Sequence, residues 1–283
     1  MLLDMRRDHP SVATGPILAR LVALYENRGI KVATGLNSHH FGDFPLAPFT
    51  WFIRGRESLT NGLGIGLQEI YFLECLFARF RPERLFVIGN SFGWSTLALA
   101  LMNRDARVVA IDAGLDRNSL EGIEFTNRVA EEEGLKALAV KGRSPGDVAT
   151  ILRDHAMSPL HFVLVDGYHS VEQVQLDFEA ARPAASPDCI YLFHDVETFQ
   201  LQEGLERIAA KTGFVWELLP ATPSGMALVY DPGHCPVALE DIAPFRPDPV
   251  AVEIVRDAAW GHRHRHLARW HRSLRKRLGG SRR

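Results

Sequence analysis

The sequence predicts an α/β fold with a Rossmann-like, mostly parallel sheet of seven strands, helices on both faces and an antiparallel strand near its C-terminal end. Short apolar runs alternate with amphipathic stretches, a pattern typical of βαβ units. A glycine-bearing turn follows the first of these runs, and the last two runs have no helix between them. Right-handed crossovers then place the helices on both faces of the sheet.

The predicted strands are continuous apolar runs, as expected where both faces of a strand are buried. The five parallel strands are predicted at RLFVIG, RVVAIDAG, ALAVKGRS, HFVLVDGYH and CIYLFHDV, and the antiparallel pair at FVWELLP and GMALVYDP. Apolar residues at helical spacing predict the helices. These are 17–27, 66–80, 91–104, 119–134, 146–155, 171–183 and 201–213.

The chain divides into three segments on this pattern: a helical and irregular N-terminal cap at 1–62, the sheet domain at 63–235, and a C-terminal extension at 236–283. The cap holds an aromatic stretch with no clear period. Its histidines and aromatic residues either cover a bound substrate or pack in an ordinary core. They are His39, His40, Phe41, Phe44, Phe49, Trp51 and Phe52.

Composition indicates a soluble, cytoplasmic protein. Apolar residues make up 46% and charged residues 23% of the 283 residues, which suits a globular chain with a sizeable core. Three widely spaced cysteines, Cys75, Cys189 and Cys235, form no CxxC pair and favour a reducing compartment. The N-terminus lacks the apolar region of a signal peptide, and no apolar run reaches the ~20 residues of a membrane span.

The formal net charge of −2 conceals a basic tail on an acidic body. Nine of the 32 Lys and Arg residues lie in 261–283, which leaves 23 to set against 34 Asp and Glu. Apolar residues at 267, 270, 274 and 278 predict a basic amphipathic helix there. This helix could contact an anionic membrane surface, nucleic acid, the acidic body or a second subunit in a homo-oligomer, or could simply be solvated.

The turn after the first parallel strand reads GNSFG, from Gly89 to Gly93. Glycines let a backbone pass close to a ligand, and free N–H groups at a helix start attract an anion. Asp112 ends the next strand, 23 residues after Gly89, where an acid can accept hydrogen bonds from both ribose hydroxyls of an adenosine group. The alternative is a plain strand-to-helix turn, with Asp112 capping the following helix.

Four segments, LFVIGNSFGWSTLALA, VVAID, FVLVDGYHSVEQVQLDF and IYLFHDV, resemble the class I S-adenosylmethionine (SAM)-dependent methyltransferases. More narrowly, the sequence is similar to the small-molecule O-methyltransferase group that includes macrocin-type sugar methyltransferases and cephalosporin-hydroxylase-like proteins. The resemblance spans about 66–232 and implies SAM-dependent methylation of a hydroxyl on a small molecule or sugar. It departs from the family at Val87, where an acid is usual.

The resemblance also implies which residues hold the cofactor. The methionine end of SAM would lie on the glycine turn, the ribose on Asp112, and the adenine near the end of the third parallel strand. The implied residues are Gly89, Asn90, Ser91, Phe92, Gly93, Ser95, Asp112, Arg143, Ser144 and Asp166. Glu69 matches a polar position often near SAM in related enzymes, although a surface salt bridge would equally explain it.

Two neighbouring parallel strands end in acids and histidines, at Asp166 and His169 and at His194 and Asp195. A hydroxyl acceptor must lose its proton, and two devices could remove it. His169 could act as a general base beside Asp166 and Asp195. Alternatively, Mg²⁺ or another divalent cation on Asp166, His194 and Asp195 could lower the pKa of the hydroxyl. The histidines could also merely order the strand ends by bonding loop backbone.

Further along, Asp177 and Glu179 follow on the next predicted helix and are expected in solvent.

Two other functions stay open on sequence grounds. A nucleic-acid methyltransferase would use the basic tail, but the sequence has no Asn/Asp-Pro-Pro-Tyr/Phe motif and no positive charge across the body. A non-catalytic SAM-fold partner protein is the other alternative, for which Val87 is mild support.

Overall fold

The N-terminal segment forms one helix and a small antiparallel sheet. The computed structural model describes residues 15–263. Helix α1 spans Ile17–Glu26, and strands β1 (Lys31–Ala33), β2 (Trp51–Arg54) and β3 (Glu57–Ser58) pair in that order. The helix was expected, whereas the strands fall within or beside the stretch that shows no period. Strands of two to four residues are too short for the alternation of apolar and polar residues to be seen.

The main sheet has seven strands, all of them predicted from the sequence. They are β4 (Arg84–Ile88), β5 (Arg107–Asp112), β6 (Ala137–Lys141), β7 (Leu160–Val165), β8 (Ala185–Phe193), β9 (Val215–Leu219) and β10 (Met226–Tyr230). Their order is β6-β5-β4-β7-β8-β10-β9. Pairs from β6 to β8 are parallel, and β10 runs antiparallel to both of its neighbours. The predicted fold class is confirmed.

Helices cover both faces of this sheet. They are α2 (Leu67–Leu76), α3 (Trp94–Met102), α4 (Ser119–Glu132), α5 (Val148–Asp154), α6 (Val171–Ala181) and α7 (Gln202–Thr212). Alternate residues of β4 belong to different apolar clusters, with Leu85 and Val87 in one and Phe86 and Ile88 in the other. Since successive side chains of a strand point to opposite faces, each face carries its own core.

All seven predicted helices are shorter in the structure, and α2 and α3 differ most, by five residues each. Helix α2 ends at Leu76 rather than before Pro82, although buried phenylalanines continue the apolar pattern beyond it. Helix α3 starts at Trp94 rather than Ser91, because Ser91 (φ 45°) and Gly93 (φ 81°) adopt left-handed conformations that a helix cannot include.

The described residues up to Phe245 form one compact unit, and those from Arg246 form a second. The second unit contains helix α8 (Pro249–Arg263). The apolar residues of the predicted basic helix lie at 267–278, outside the described residues. The three-segment division into 1–62, 63–235 and 236–283 stays a prediction.

Within the described range, no helix combines the length and the apolar character that crossing a membrane requires. All three cysteines are free thiols.

The first turn of α4 lies directly against the glycine turn, and Gly122 allows this contact. A Cβ atom added at Gly122 would lie 2.1 Å from the carbonyl oxygen of Ser91. We therefore expect Gly122→Ala to lower the free energy of unfolding by about 1–3 kcal/mol, as overpacking does, measured by urea denaturation.

Gly146→Ala is the matched control, because the nearest atom to a Cβ there is 3.9 Å away and its φ is not positive. It should change stability by no more than about 0.5 kcal/mol. An equal loss in both variants would contradict the contact.

Candidate active site

Asp112 ties the glycine turn to the end of β5. Its Oδ2 accepts hydrogen bonds from the backbone N–H groups of Asn90 (2.9 Å) and Ser91 (2.7 Å), and its Oδ1 accepts one from Gly114 (2.8 Å). The acid and the turn are thus adjacent, as the sequence reasoning requires. However, two N–H groups that were expected to be free for an anionic ligand are occupied by Asp112.

Several side chains of the turn are buried and already engaged. Asn90 Oδ1 accepts a hydrogen bond from Thr96 Oγ1 (2.9 Å), and Asn90 Nδ2 donates to Thr126 Oγ1 (3.1 Å). Phe92 is 1% exposed in the main core, and its carbonyl accepts a hydrogen bond from Tyr25 (2.9 Å). Ser95 is also buried. These residues therefore shape the turn, and a ligand there would meet its backbone.

Gly89 brings the turn onto the end of the neighbouring strand β7. It has a φ of 100°, and an added Cβ would lie 1.9 Å from the carbonyl oxygen of Asp166. Only glycine fits this contact, because both the conformation and the distance exclude a side chain. The close approach places the glycine turn beside the first of the predicted catalytic acids.

Ser144, which follows β6, forms a hydrogen bond with the buried side chain of Asp177. Ser144 Oγ and Gln173 Nε2 both donate to Asp177 Oδ1, at 2.5 and 2.7 Å. Asp177 is 1% exposed, and burial raises the pKa of its carboxyl group. The expectation that Asp177 is solvated is wrong, because its side chain turns inward to Ser144.

Glu179 and Arg143 are exposed. Glu179 pairs with Lys211 on the surface, and Arg143 contributes a backbone N–H to Asp147.

Four side chains meet at the carboxyl ends of β7 and β8, and we call them the strand-end cluster: Asp166, His169, His194 and Asp195. One ligand atom from each can be chosen so that all four lie within 4.8 Å of one another. His194 Nδ1 lies 3.0 Å from Asp166 Oδ1 and 3.4 Å from Asp195 Oδ2. His169 Nε2 lies 3.6 Å from each of the same two oxygens. The structure thus brings together all the residues predicted at these strand ends.

Glu69 supports the cluster from behind. Its side chain is fully buried, and its Oε2 lies 3.2 Å from His194 Nε2. The same carboxylate accepts hydrogen bonds from the N–H of Gly66 (2.7 Å) and from both the N–H (3.2 Å) and Oγ (2.5 Å) of Ser224. The salt bridge considered for Glu69 is therefore buried beside the cluster rather than on the surface.

Ser224 is a site residue that sequence reasoning missed. It lies 155 residues from Glu69, in the turn before β10, and no motif marks it.

Asp166 and His194 shift each other's pKa values. Burial alone would raise the pKa of Asp166, but His194 and His169 outweigh it and hold this pKa at about 2. Burial likewise works to lower the pKa of His194, whereas the carboxylates of Asp166 and Glu69 raise it well above its ordinary value. Asp166 is therefore an ionised acceptor at neutral pH.

Two ring nitrogens of the cluster, His169 Nε2 and His194 Nδ1, are buried without a hydrogen-bond partner among the described residues. They face carboxylate oxygens at short distance but with poor hydrogen-bond geometry. The alternative hypothesis, that the histidines hydrogen-bond loop backbone, therefore does not hold for these two atoms. Two carboxylates and a free imidazole nitrogen are a donor set that fits a divalent cation.

The aromatic residues of the N-terminal segment divide into two groups. Phe49 and Phe52 are buried, and the Phe49 ring lies edge-on to His194 with 6.1 Å between centroids. Phe41 and Phe44 are exposed, as are His39 and His40.

A comparison with protein families gives a match over part of the chain. Residues 86–196 match the family described as "Methyltransferase domain", a range that runs from within β4 to just past β8. It contains the glycine turn, Asp112 and the strand-end cluster. Together with the sheet order, this match shows that residues 86–196 are similar to a methyltransferase domain.

One individual protein has a similar sequence over part of its length. An uncharacterised Sinorhizobium fredii protein, y4gI, is 26% identical over 180 residues, which are 61% of this chain and 19% of that protein. The chain thus spans about a fifth of the length of this relative.

Among solved structures, an O-methyltransferase from Bacillus cereus in complex with SAH is 17% identical, covering 59% of this chain and 82% of that one, with a TM-score of 0.49. A methyltransferase from Geobacter sulfurreducens is 15% identical, covering 80% and 90%, with a TM-score of 0.45.

We expect Asp112→Ala to weaken binding of S-adenosylhomocysteine by about tenfold or more, because it removes the acceptor that orders the turn and that would bind the ribose hydroxyls. Isothermal titration calorimetry measures this directly. Glu124→Ala, which removes a negative charge from an exposed position on α4, is the control and should bind normally. Unchanged affinity in Asp112→Ala would refute the assignment of Asp112 to the cofactor site.

Proposed function

We propose that the protein transfers the methyl group of SAM to a hydroxyl of a small molecule or sugar bound at the strand-end cluster. The observation that carries this proposal is the meeting of two carboxylates and two imidazole nitrogens beside the glycine turn, where neither nitrogen has a hydrogen-bond partner in the part of the chain that the structure describes. Such a cluster can orient a hydroxyl and take up its proton, which is what O-methylation requires beyond a bound methyl donor.

The cofactor and the acceptor would lie on adjacent strand ends. In open α/β sheets ligands bind in the crevice outside the carboxyl ends of the strands. Gly89 and Asp112 flank that crevice on one side, and Asp166 touches Gly89 on the other. A cofactor across the turn, with its ribose at Asp112, would carry its sulfonium toward Asp166. We assign the backbone of 89–93, together with Arg143 and Ser144 near the adenine, to cofactor binding.

Methyl transfer is a displacement in which an oxygen–carbon bond forms as the carbon–sulfur bond breaks, while the hydroxyl gives up its proton. We assign the proton to His169 Nε2, which has no hydrogen-bond partner within residues 15–263 and is 3.6 Å from both Asp166 and Asp195. These carboxylates would stabilise the imidazolium that forms. Asp166 and Asp195 thereby assist catalysis, and the ring of Phe199 stacks on His169 at 4.8 Å to fix its plane.

A divalent cation would fit next to this base. Asp166, His194 and Asp195 are the residues that would hold it. Bound there, Mg²⁺ or another divalent cation would supply a lowered pKa for a hydroxyl placed beside it.

Exposed aromatic residues around the cluster support a ring-shaped acceptor. Tyr168 is 77% exposed and directly precedes His169, and Phe199 is 51% exposed while stacking on the same histidine. Aromatic faces bury the apolar side of a sugar or a planar ring and leave its hydroxyls free. A hydroxylated small molecule is therefore the acceptor class that we favour.

Oligomerisation, contact with a membrane surface and a cytoplasmic location stay predictions. The first two depend on the basic tail, most of which lies outside the described residues.

Asp195→Asn tests the catalytic assignment. Asp195 has a left-handed backbone (φ 57°), which asparagine also adopts readily, so the fold should be retained. We expect turnover to fall by about 10²-fold or more, while binding of S-adenosylhomocysteine changes little. The measurement is release of S-adenosylhomocysteine with a panel of hydroxylated sugars and phenols, followed by mass spectrometry of the methylated product.

Asp105→Asn, at an exposed position next to β5, is the control and should leave turnover unchanged. Full activity of Asp195→Asn would contradict the catalytic assignment. Methylation confined to amines, thiols or RNA would contradict the proposed acceptor class.

A further inference from the structure

We propose that Glu69 and Ser224 prepare His194 as a nitrogen ligand, so that the strand-end cluster holds a divalent transition metal, such as Mn²⁺, Co²⁺ or Zn²⁺, in preference to Mg²⁺. The inference rests on the proposed function, because it names the class of cation that binds at the same site. The metal site itself can be tested without substrate or cofactor.

Glu69 decides which nitrogen of His194 carries a proton. Gly66 and Ser224 direct three N–H and O–H donors at its carboxylate, which therefore serves as an acceptor. His194 Nε2, at 3.2 Å from Glu69 Oε2, must then donate its hydrogen to Glu69. In the neutral ring this leaves a lone pair on Nδ1, on the side that faces the cluster. A carboxylate behind a histidine is the arrangement that orients imidazole ligands in metal sites.

Nδ1 of His194 faces two carboxylate oxygens, and a cation bound between these three atoms would replace the proton of Nδ1. The His194 side chain is 5% exposed, and Nδ1 lies 3.0 Å from Asp166 Oδ1 and 3.4 Å from Asp195 Oδ2. A proton on Nδ1 would meet neither oxygen with hydrogen-bond geometry. Ligand atoms about 2.1 Å from a metal and at right angles to each other lie about 3.0 Å apart. The observed spacing is thus close to that of three ligands sharing one cation.

The chemistry of the three donors selects the cation. Mg²⁺ prefers a shell made of oxygen atoms, and an imidazole nitrogen replaces one of them here. Imidazole together with carboxylates suits the first-row divalent metals from Mn²⁺ to Zn²⁺. His169 stays outside this ligand set, because its Nε2 is farther from both carboxylate oxygens than His194 Nδ1 is. It remains free to accept a proton.

The first experiment uses the full chain stripped of metal by a chelator, without SAM or acceptor. Calorimetric titrations with Mn²⁺ and Mg²⁺ compare affinities, and pulsed electron paramagnetic resonance of bound Mn²⁺ detects directly coordinated nitrogen. We expect Mn²⁺ to bind at least tenfold more tightly than Mg²⁺ and to show a coupling from one ¹⁴N ligand. His194→Asn should abolish the coupling, whereas His169→Ala, the matched control, should keep it.

Variants of Glu69 and Ser224 test whether these residues position His194 as a ligand. Glu69→Gln keeps the shape of the side chain but can donate to Nε2 and move the proton of His194 to Nδ1. We expect it to weaken Mn²⁺ binding by about 10–100-fold. Ser224→Ala removes one hydrogen bond to Glu69 and should weaken it by less, which keeps the test usable if Glu69→Gln does not fold. A purely structural role would lower the thermal stability of the metal-free variants without changing their Mn²⁺ affinity.

Three results would overturn the inference: equal affinity for Mg²⁺ and Mn²⁺, no nitrogen coupling in the native protein, or a coupling lost in His169→Ala and kept in His194→Asn. Failure of the proposed function is a separate result. Tight Mn²⁺ binding by a protein that methylates no hydroxyl would support the metal site and contradict the proposed acceptor. Hydroxyl methylation by a chain that binds no metal would support the proposed acceptor and contradict the metal site.

Discussion

The contact between Gly89 and the end of β7 is the constraint on which the site depends. A residue with any side chain at 89 would collide with the carbonyl of Asp166, so the turn can lie this close only because position 89 is glycine. Asp112 fixes the other side of the same turn through the N–H groups of Asn90 and Ser91. The sheet edge thus gains a fixed corner next to the ionised acid Asp166.

The second organising feature is the buried carboxylate of Glu69. A fully buried charge is costly unless it is paired and hydrogen-bonded, and Glu69 meets both conditions through His194, Gly66 and Ser224. It joins the helix before the first parallel strand to the turn before the antiparallel strand β10. Elements distant in sequence are therefore tied together directly behind the cluster, and the imidazole of His194 is held in one orientation.

The sequence allowed the sheet and the strand-end acids to be predicted, because both are local signals. Apolar runs located every strand of the main sheet, and parallel strands bring their ends to one edge, which placed Asp166 beside Asp195. It could not show that Asp177 turns inward to Ser144, or that Glu69 meets Ser224, because such contacts depend on the packing of distant elements. The strands β1 to β3 could not be predicted for a different reason. Each has only two to four residues, which are too few to show the alternation of apolar and polar residues.

The most direct test of the account is the structure of a crystal soaked with S-adenosylhomocysteine. We expect density across the bend at Gly89, with the ribose hydroxyls within hydrogen-bond distance of Asp112 and the sulfur directed toward Asp166. Density elsewhere on the surface, or a ribose that contacts neither Asp112 nor the glycine turn, would contradict this expectation.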